Sequence, residues 1–570
     1  MKLFKKMRKG FTLIELVVVI AVIAILSAVA VVSYVSITNR AKQSNDQQKV
    51  DQVNLSLAAS EITGKPKTMA SALEAIEEDG MSVDKFKAEA KSYEFGYAME
   101  ENRVVIIEKG SVVYPKDYKQ GASANIWRFA ANNGAVKADG FSYYLLDDCT
   151  GSIDTEAAGG LDVGKNKDIT ALKIKSTQEK LVVNSGGDQC VVTIDAGSAD
   201  VDFYGFGKRV DVKDVKNSSL HIYGSIGELQ LEKGHAQVET TGIVFDVVQV
   251  GTKEEGAGAS VTNNGFIAQA TLKEHKATPT SEVPAAVQEA VQTSMTGNET
   301  SKTLEVGSLA QLESFRDAVN SGNDFAGLTV KLTKDIALKD GWKPIGEGTR
   351  KVAATSTDAV GKQTFFAGTF DGQNKTISNL NNKDFVPTSA RVFQQEGKTS
   401  HYAYGLFASV KQGAKIMNVK LSYVDIDQSR YSGAIMDSVA ALVGYAYGGC
   451  EVENVSVSGT IKGGDSVCGI VGRVTLKDGA FSIKSCTNSA NITASSDNKW
   501  ASGICRVYDP LVKDDVKPVV YVNGNTNSGT ITGAKKANVA LINTQSKMNF
   551  TSEKPDAGAT DSFAGIGVIA

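Results

Sequence analysis

Glu15 is the residue that most needs a chemical explanation. It is the fifth residue of an apolar run that opens at Phe11 and closes at Val32. A carboxylate there costs on the order of 3 kcal/mol if it reaches the centre of a bilayer, so an acid in such a run calls for a partner and a role. Gly10, the small residue at this end of the chain, precedes the run. A cleaved secretory signal would put its small residues after a shorter apolar core. Other candidates for chemistry are sparse. The four histidines, at 221, 235, 275 and 401, are too few and too scattered for a histidine-based metal or catalytic centre. Cys450, Cys468, Cys486 and Cys505 recur at intervals of 18, 18 and 19 residues. This spacing suits a metal or disulfide ladder, but small apolar side chains stacked in a β core explain it more simply. Cys149 and Cys190 could pair after export. Asp425, Asp427, Asp437, Asp465, Asp497, Asp514 and Asp515 do not recur at any repeat spacing. They read as solvated turn acids rather than the paired carboxylates of a glycosidase. The expectation is therefore no catalytic residue, no metal and no cofactor.

The elements around Glu15 narrow its role. Lys2, Lys5, Lys6, Arg8 and Lys9 lie before Gly10, and the apolar run follows. A basic flank before about 20 apolar residues predicts a membrane-spanning helix with its N-terminal side in the cytoplasm. From Ser33 the pattern turns amphipathic through Tyr34, Val35, Ile37, Ala41, Val50, Val53, Leu55 and Leu57. No Gly or Pro occurs between Phe11 and Gly64, so one helix over 11–62, about 75 Å long at 1.5 Å per residue, is allowed.

With its basic leader, Gly10, Phe11 and Glu15, this segment resembles the type IV pilin and pseudopilin family. The resemblance implies that an inner-membrane prepilin peptidase cuts between Gly10 and Phe11 and methylates the new Phe11 amine. It also implies that Glu15 pairs with the Phe11 amine of a neighbouring subunit. Opposite charges out of water attract strongly and either alone is costly, so the pair would set the register between helices. The implied partners are other pilin subunits, the peptidase and the cytoplasmic membrane before assembly. The implied destination is an extracellular pilus at the cell surface.

The rest of the chain is globular in composition, with 42% hydrophobic and 22% charged residues and a net charge of −3. That balance argues against a general nucleic-acid binder, and no specific nucleic-acid binding is expected. The predicted fold is mainly β with a long N-terminal α-helix. Its segments are a leader over 1–10, the helix over 11–62 and a small α/β head over 63–118. An all-β region, solenoid or sandwich, follows over 119–275, then a polar linker over 276–303, a repeat domain over 304–535 and a cap or loose tail over 536–570. In the head, 70–78 and 83–90 have helical spacing, and 93–99, 103–107 and 111–114 read as strands. In the all-β region, apolar runs at 171–174, 181–183, 191–194, 201–204, 210–212, 220–223, 229–231 and 244–248 favour a solenoid.

Past 304, one set of runs contains Tyr-Gly-Leu-Phe-Ala at 404–408, Ala-Leu-Val-Gly at 441–444, Cys-Gly-Ile-Val-Gly at 468–472 and Ser-Gly-Ile-Cys at 502–505. It alternates with Asn-rich runs at 418–422, 454–461, 487–493 and 526–532. Such units cannot bury an apolar face alone but share a core when stacked. Together with Trp-Lys-Pro-Ile-Gly at 342–346 and the run at 366–380, they resemble the Gly-Leu-Val-Gly ("GLUG") repeat domains of bacterial surface proteins. That resemblance implies a right-handed parallel β-helix of the pectate-lyase-like kind, usually adhesive or structural. The combined expectation is a large minor or tip pilin with an adhesin-like head for a surface ligand, glycan or protein. Its rivals are a pseudopilin of a secretion or DNA-uptake machine and a filament-displayed polysaccharide-degrading enzyme.

Overall fold

The computed structural model describes residues 13–551 apart from internal stretches, the longest being 131–140, 251–258, 274–294, 347–363, 386–401, 428–435 and 508–518. The chain is mainly β, with few helices, and forms two compact units, Met1–Asn166 and Lys167–Ala570.

The first unit is built on helix α1 (Leu13–Ile62). Its lower half presents Val50, Val53 and Leu57 at a 3–4 spacing, and all three are fully buried. They pack against Ala72 and Ile76 of α2 (Met69–Glu78) and against Phe95, Tyr97, Val104, Ile106 and Phe129. Thr68 caps α2 by accepting a bond from the Ser71 amide. The strands β1 (Tyr93–Ala98), β2 (Arg103–Glu108) and β3 (Ser111–Tyr114) form an antiparallel meander. The strand β4 (Ile126–Ala130) joins the free side of β1, pairing Tyr97 with Trp127, so the head's sheet draws on residues past 118.

Two features differ from the sequence pattern. The segment 83–90 holds only a 3-10 turn, Val83–Lys85. The cause lies on α1, where buried Asp46 accepts bonds from the Glu89 and Ala90 amides at 2.8 and 2.9 Å, taking the place of helical bonds there. Leu55 faces away from the head and is exposed, although it belongs to the same amphipathic run as Leu57.

The second unit is a succession of parallel ladders. Each apolar run predicted between 169 and 250 falls on a strand, only Tyr223 lying beyond the end of its own, and pairing is parallel rather than the antiparallel pairing of a sandwich. One column of inward residues runs Leu181, Val201, Leu220, Ala236, Val261. A second runs Leu172, Val192, Val210, Leu229, Val247. Past 300 the column Leu304, Val330, Phe370, Ile416, Val452, Ile483, Val522 continues the same construction. Successive side chains alternate between core and solvent, which is the period of two that a strand imposes.

Two of the Gly-Leu and Gly-Ile pairs sit between short strands rather than inside them. Gly405-Leu406 separates Tyr402–Tyr404 from Phe407–Lys411, and Gly469-Ile470 separates Ser466–Cys468 from Val471–Thr475. Leu406, Leu442 and Ile470 are fully buried at such bends, whereas Ile504, equally buried, lies inside the strand Trp500–Val507. Gly469 is required by proximity, because a Cβ there would lie 2.2 Å from the Gly503 carbonyl oxygen.

The expected linker over 276–303 lies largely outside the described residues, and strand Met295–Gly297 pairs with Ala259–Asn263. The core is continuous across this region. Helix α3 (Leu309–Asn320) buries Leu312 and Phe315 in a cluster that contains Ile243 and Phe266 on one side and Phe366 and Phe370 on the other. Ser314 and Gln311 donate to the carbonyls of Thr241 and Thr240.

Candidate assembly site

Gly10 and Phe11 lie outside the described residues. Glu15 lies in the first turn of α1, and its side chain is also outside the description. The described side chains around it are apolar and bare. Leu13, Ile14, Leu16, Val17, Val18, Val19, Ile20, Val22 and Ile23 are all exposed. Apolar surface that wraps a helix on every side needs lipid or other helices to cover it. Among the described residues no helix is long and apolar enough to cross a membrane. The side chains of Glu15, Ile25, Leu26 and 28–33 lie outside that description. The sequence from 16 to 33 carries no charge, and 20 helical residues span about 30 Å, the thickness of a bilayer's hydrocarbon core.

The other half of α1 is fastened to the head by polar contacts. Asn54 exchanges two bonds with the backbone of Val104. Asn102 donates to the Leu57 carbonyl oxygen and receives the Tyr97 hydroxyl at 2.8 Å. Tyr114 donates to Asp51, and that bond, with burial and the nearby Asp51 charge, pushes the phenol up to about 12. One half of the helix is therefore rigidly held and the other is presented.

Residue types that could perform catalysis are placed apart. Asp425 and Asp427 face outward, against Thr460 and Lys462. The other predicted acids, Asp437, Asp465, Asp497, Asp514 and Asp515, have no described side chain. Among the described residues no group of three metal-ligating side chains forms. All six cysteines, Cys149 and Cys190 included, are buried. Burial pushes the thiols of Cys190, Cys450 and Cys468 up to about 11, 12 and 11.

The sequence reading missed two polar constructions. Asn374, Asn418 and Asn454 stack in left-handed turns, with φ of 59°, 56° and 52°. Asn454 donates to Asn418 at 2.8 Å, and Asn418 to Asp371 at 2.9 Å. The recurrence of Asn just ahead of Val-Lys-Leu and Val-Ser-Val was the available signal. On the first ladder, His221 bonds Glu239 at 2.8 Å and His235 bonds Ser260 at 2.7 Å. Here only the structure brings distant residues together.

Residues 5–31 match the family described as Prokaryotic N-terminal methylation motif. The chain thus has a type IV pilin-like prepilin N-terminus. That motif implies processing by a prepilin peptidase, anchoring in the membrane before display at the surface, and assembly with other pilins. No curated protein and no solved structure matches the chain.

Proposed function

We propose that this chain is a rare or tip-positioned type IV pilin subunit whose head is a non-catalytic, adhesive surface. One observation carries the reading above the others. A methylation motif opens a helix whose apolar half is exposed while its other half is fastened to a head. In this reading the peptidase cuts after Gly10, Phe11 becomes the methylated N-terminus, and Glu15 pairs with the Phe11 amine of the next subunit. Removing either charge would leave the other unpaired out of water, so the pair favours one register between helices.

The parallel ladders of the second unit support a right-handed β-helix of the GLUG-repeat kind, displayed outside the cell toward a glycan or protein ligand. A pseudopilin shares such an N-terminus, but acting as a piston requires no head extending over 63–570. An enzyme would need paired acids, and the outward carboxylates Asp425 and Asp427 are engaged by Thr460 and Lys462.

Mass spectrometry of the mature chain tests the first step. The expected N-terminus is N-methylated Phe11. An intact Met1, or a cut after Ala28 or Ala30, overturns the assignment.

A further inference from the structure

Tyr423 occupies a backbone position suited to asparagine or glycine. Its φ is 54°, in the left-handed region, an outlier for a bulky side chain. The cause is local. Strand Lys415–Asp427 carries an extra residue at this point, since the register against the following strand jumps from Leu421↔Val457 to Val424↔Gly459. In the preceding rung Ser378 pairs with Ser422 and Asn381 with Asp425, so Asn379 holds the position equivalent to Tyr423. Asn379 has φ 64° and uses its amide to bond the Leu338 carbonyl at 2.9 Å.

Tyr423 gains nothing comparable. Among the described residues no hydrogen bond engages its hydroxyl, and the residue is 79% exposed. Neither packing nor hydrogen bonding within the protein accounts for a tyrosine there. Strain that persists without internal compensation points to a functional contact.

The surroundings give that contact a chemistry. Beyond Tyr423 the strand alternates buried Val424 and Ile426 with outward Asp425 and Asp427. Thr460 donates to Asp425 at 3.5 Å, and Lys462 reaches Asp427 at 3.4 Å. An exposed aromatic face beside a carboxylate and a hydroxyl suits a ligand with a C–H face and hydroxyl edges. The carboxylates of Asp425 and Asp427 along this face disfavour an anion.

We propose that Tyr423, Asp425 and Thr460 form a binding site for a neutral glycan. The tyrosine ring packs on the C–H face of a pyranose, and Asp425 accepts bonds from its hydroxyls. The rung after Thr460 continues the face with Asn491 and Thr493, so an oligosaccharide is favoured over a single sugar. The proposal rests on the adhesive reading of the head and names its ligand class.

The test uses the detergent-solubilised full chain titrated with cellohexaose, chitohexaose, mannohexaose and, as the charged comparator, hexagalacturonate. The wild type is expected to bind at least one neutral hexasaccharide. Tyr423→Asn should weaken that binding at least tenfold while the melting temperature holds or rises, because Asn suits the left-handed turn. Tyr423→Phe should bind nearly as well as the wild type, and Asp425→Asn should weaken binding with the fold intact. Equal affinity in Tyr423→Asn, or preference for hexagalacturonate, overturns the site. A wild-type chain that binds none of these sugars yet adheres to cells overturns the site and leaves the adhesive reading standing. A wild-type chain that adheres to nothing removes both.

Discussion

The Asn54 side chain meets the backbone of Val104 as a neighbouring strand would. Its amide donates to the Val104 carbonyl at 3.0 Å, and the Val104 N–H donates to its carbonyl oxygen at 2.7 Å. Val104 is fully buried, so neither backbone group has water to fall back on. The pair ties β2 to α1 beside the apolar contacts of Val53 and Leu57. Asn54→Ala leaves a buried donor and acceptor unpaired, which costs about 1–3 kcal/mol for each such group. The head's unfolding transition in calorimetry should move to lower temperature. Asn54→Asp keeps the acceptor but loses the donor, and should fall between the two. An unshifted transition in Asn54→Ala would show that the helix is held by its apolar face alone.

The Asn374–Asn418–Asn454 stack makes a second prediction. Each residue sits at positive φ, where asparagine is among the few side chains readily tolerated. Asn418 is the middle member, donating to Asp371 and accepting from Asn454. Burial pushes the Asp371 carboxyl up, but bonds from Asn418 and from the backbone and side chain of Gln373 outweigh it and hold the group below its ordinary range. Asn418→Ala adds left-handed strain of roughly 1–2 kcal/mol and removes both bonds. Asn418→Gly removes the bonds without the strain. The alanine variant should therefore be the less stable of the two in urea, with both below the wild type. Equal midpoints for all three would mean that the ladder contributes nothing.

What the sequence made legible follows from how local each signal is. The apolar run after Gly10 and the acid at Glu15 are contiguous, so the motif was readable in full. Ile416 and Val452 open strands whose continuations, 418–422 and 454–461, were readable from their own period of two, whereas the strands of Ile483 and Val522 were not, because the Asn-rich runs just after them carry the repeat pattern. The non-helical path of 86–90 was not readable either, because buried Asp46, more than 40 residues away in sequence, dictates it. The bends at Gly405-Leu406 and Gly469-Ile470 are not legible in their runs, since a buried Leu406 or Ile470 has the same local pattern in a strand as at a corner. The residue equivalent to Asn379 is Tyr423, and composition gives no sign of that. Only the ladder register aligns the two.

His235 gives a pH prediction. Burial, and after it the neighbouring His221, depress its pKa below the ordinary 6.5. The unfolded chain therefore binds this proton more readily than the folded one. Stability from this group is fully present above about pH 6.5 and is lost as pH falls through the lower folded value. Carboxylates titrate nearby, so the comparison is with His235→Gln. The variant should lose less melting temperature than the wild type between pH 7 and pH 5. Identical slopes would show that His235 titrates as an ordinary exposed imidazole.

The last prediction concerns the place of the subunit in a filament. An α-helix with its side chains is only about 10–12 Å wide, so helices packed in a core crowd whatever their outer ends carry. Here each helix is fastened through Asn54, Asp46 and Asn102 to a head that cannot swing clear without breaking those bonds. A second unit, Lys167–Ala570, follows. Such a subunit is hard to accommodate at every position, while in the proposed role Glu15 registers it against a neighbour. Glu15→Ala should therefore leave export and leader cleavage intact while reducing the amount recovered in sheared filaments, because the partner's Phe11 amine loses its counter-charge. Immunogold labelling of wild-type filaments with antibody to the second unit should give sparse or terminal marks. Continuous labelling along the shaft would contradict the minor-subunit role, and undiminished recovery of Glu15→Ala would show that this subunit docks without the Glu15–Phe11 pair.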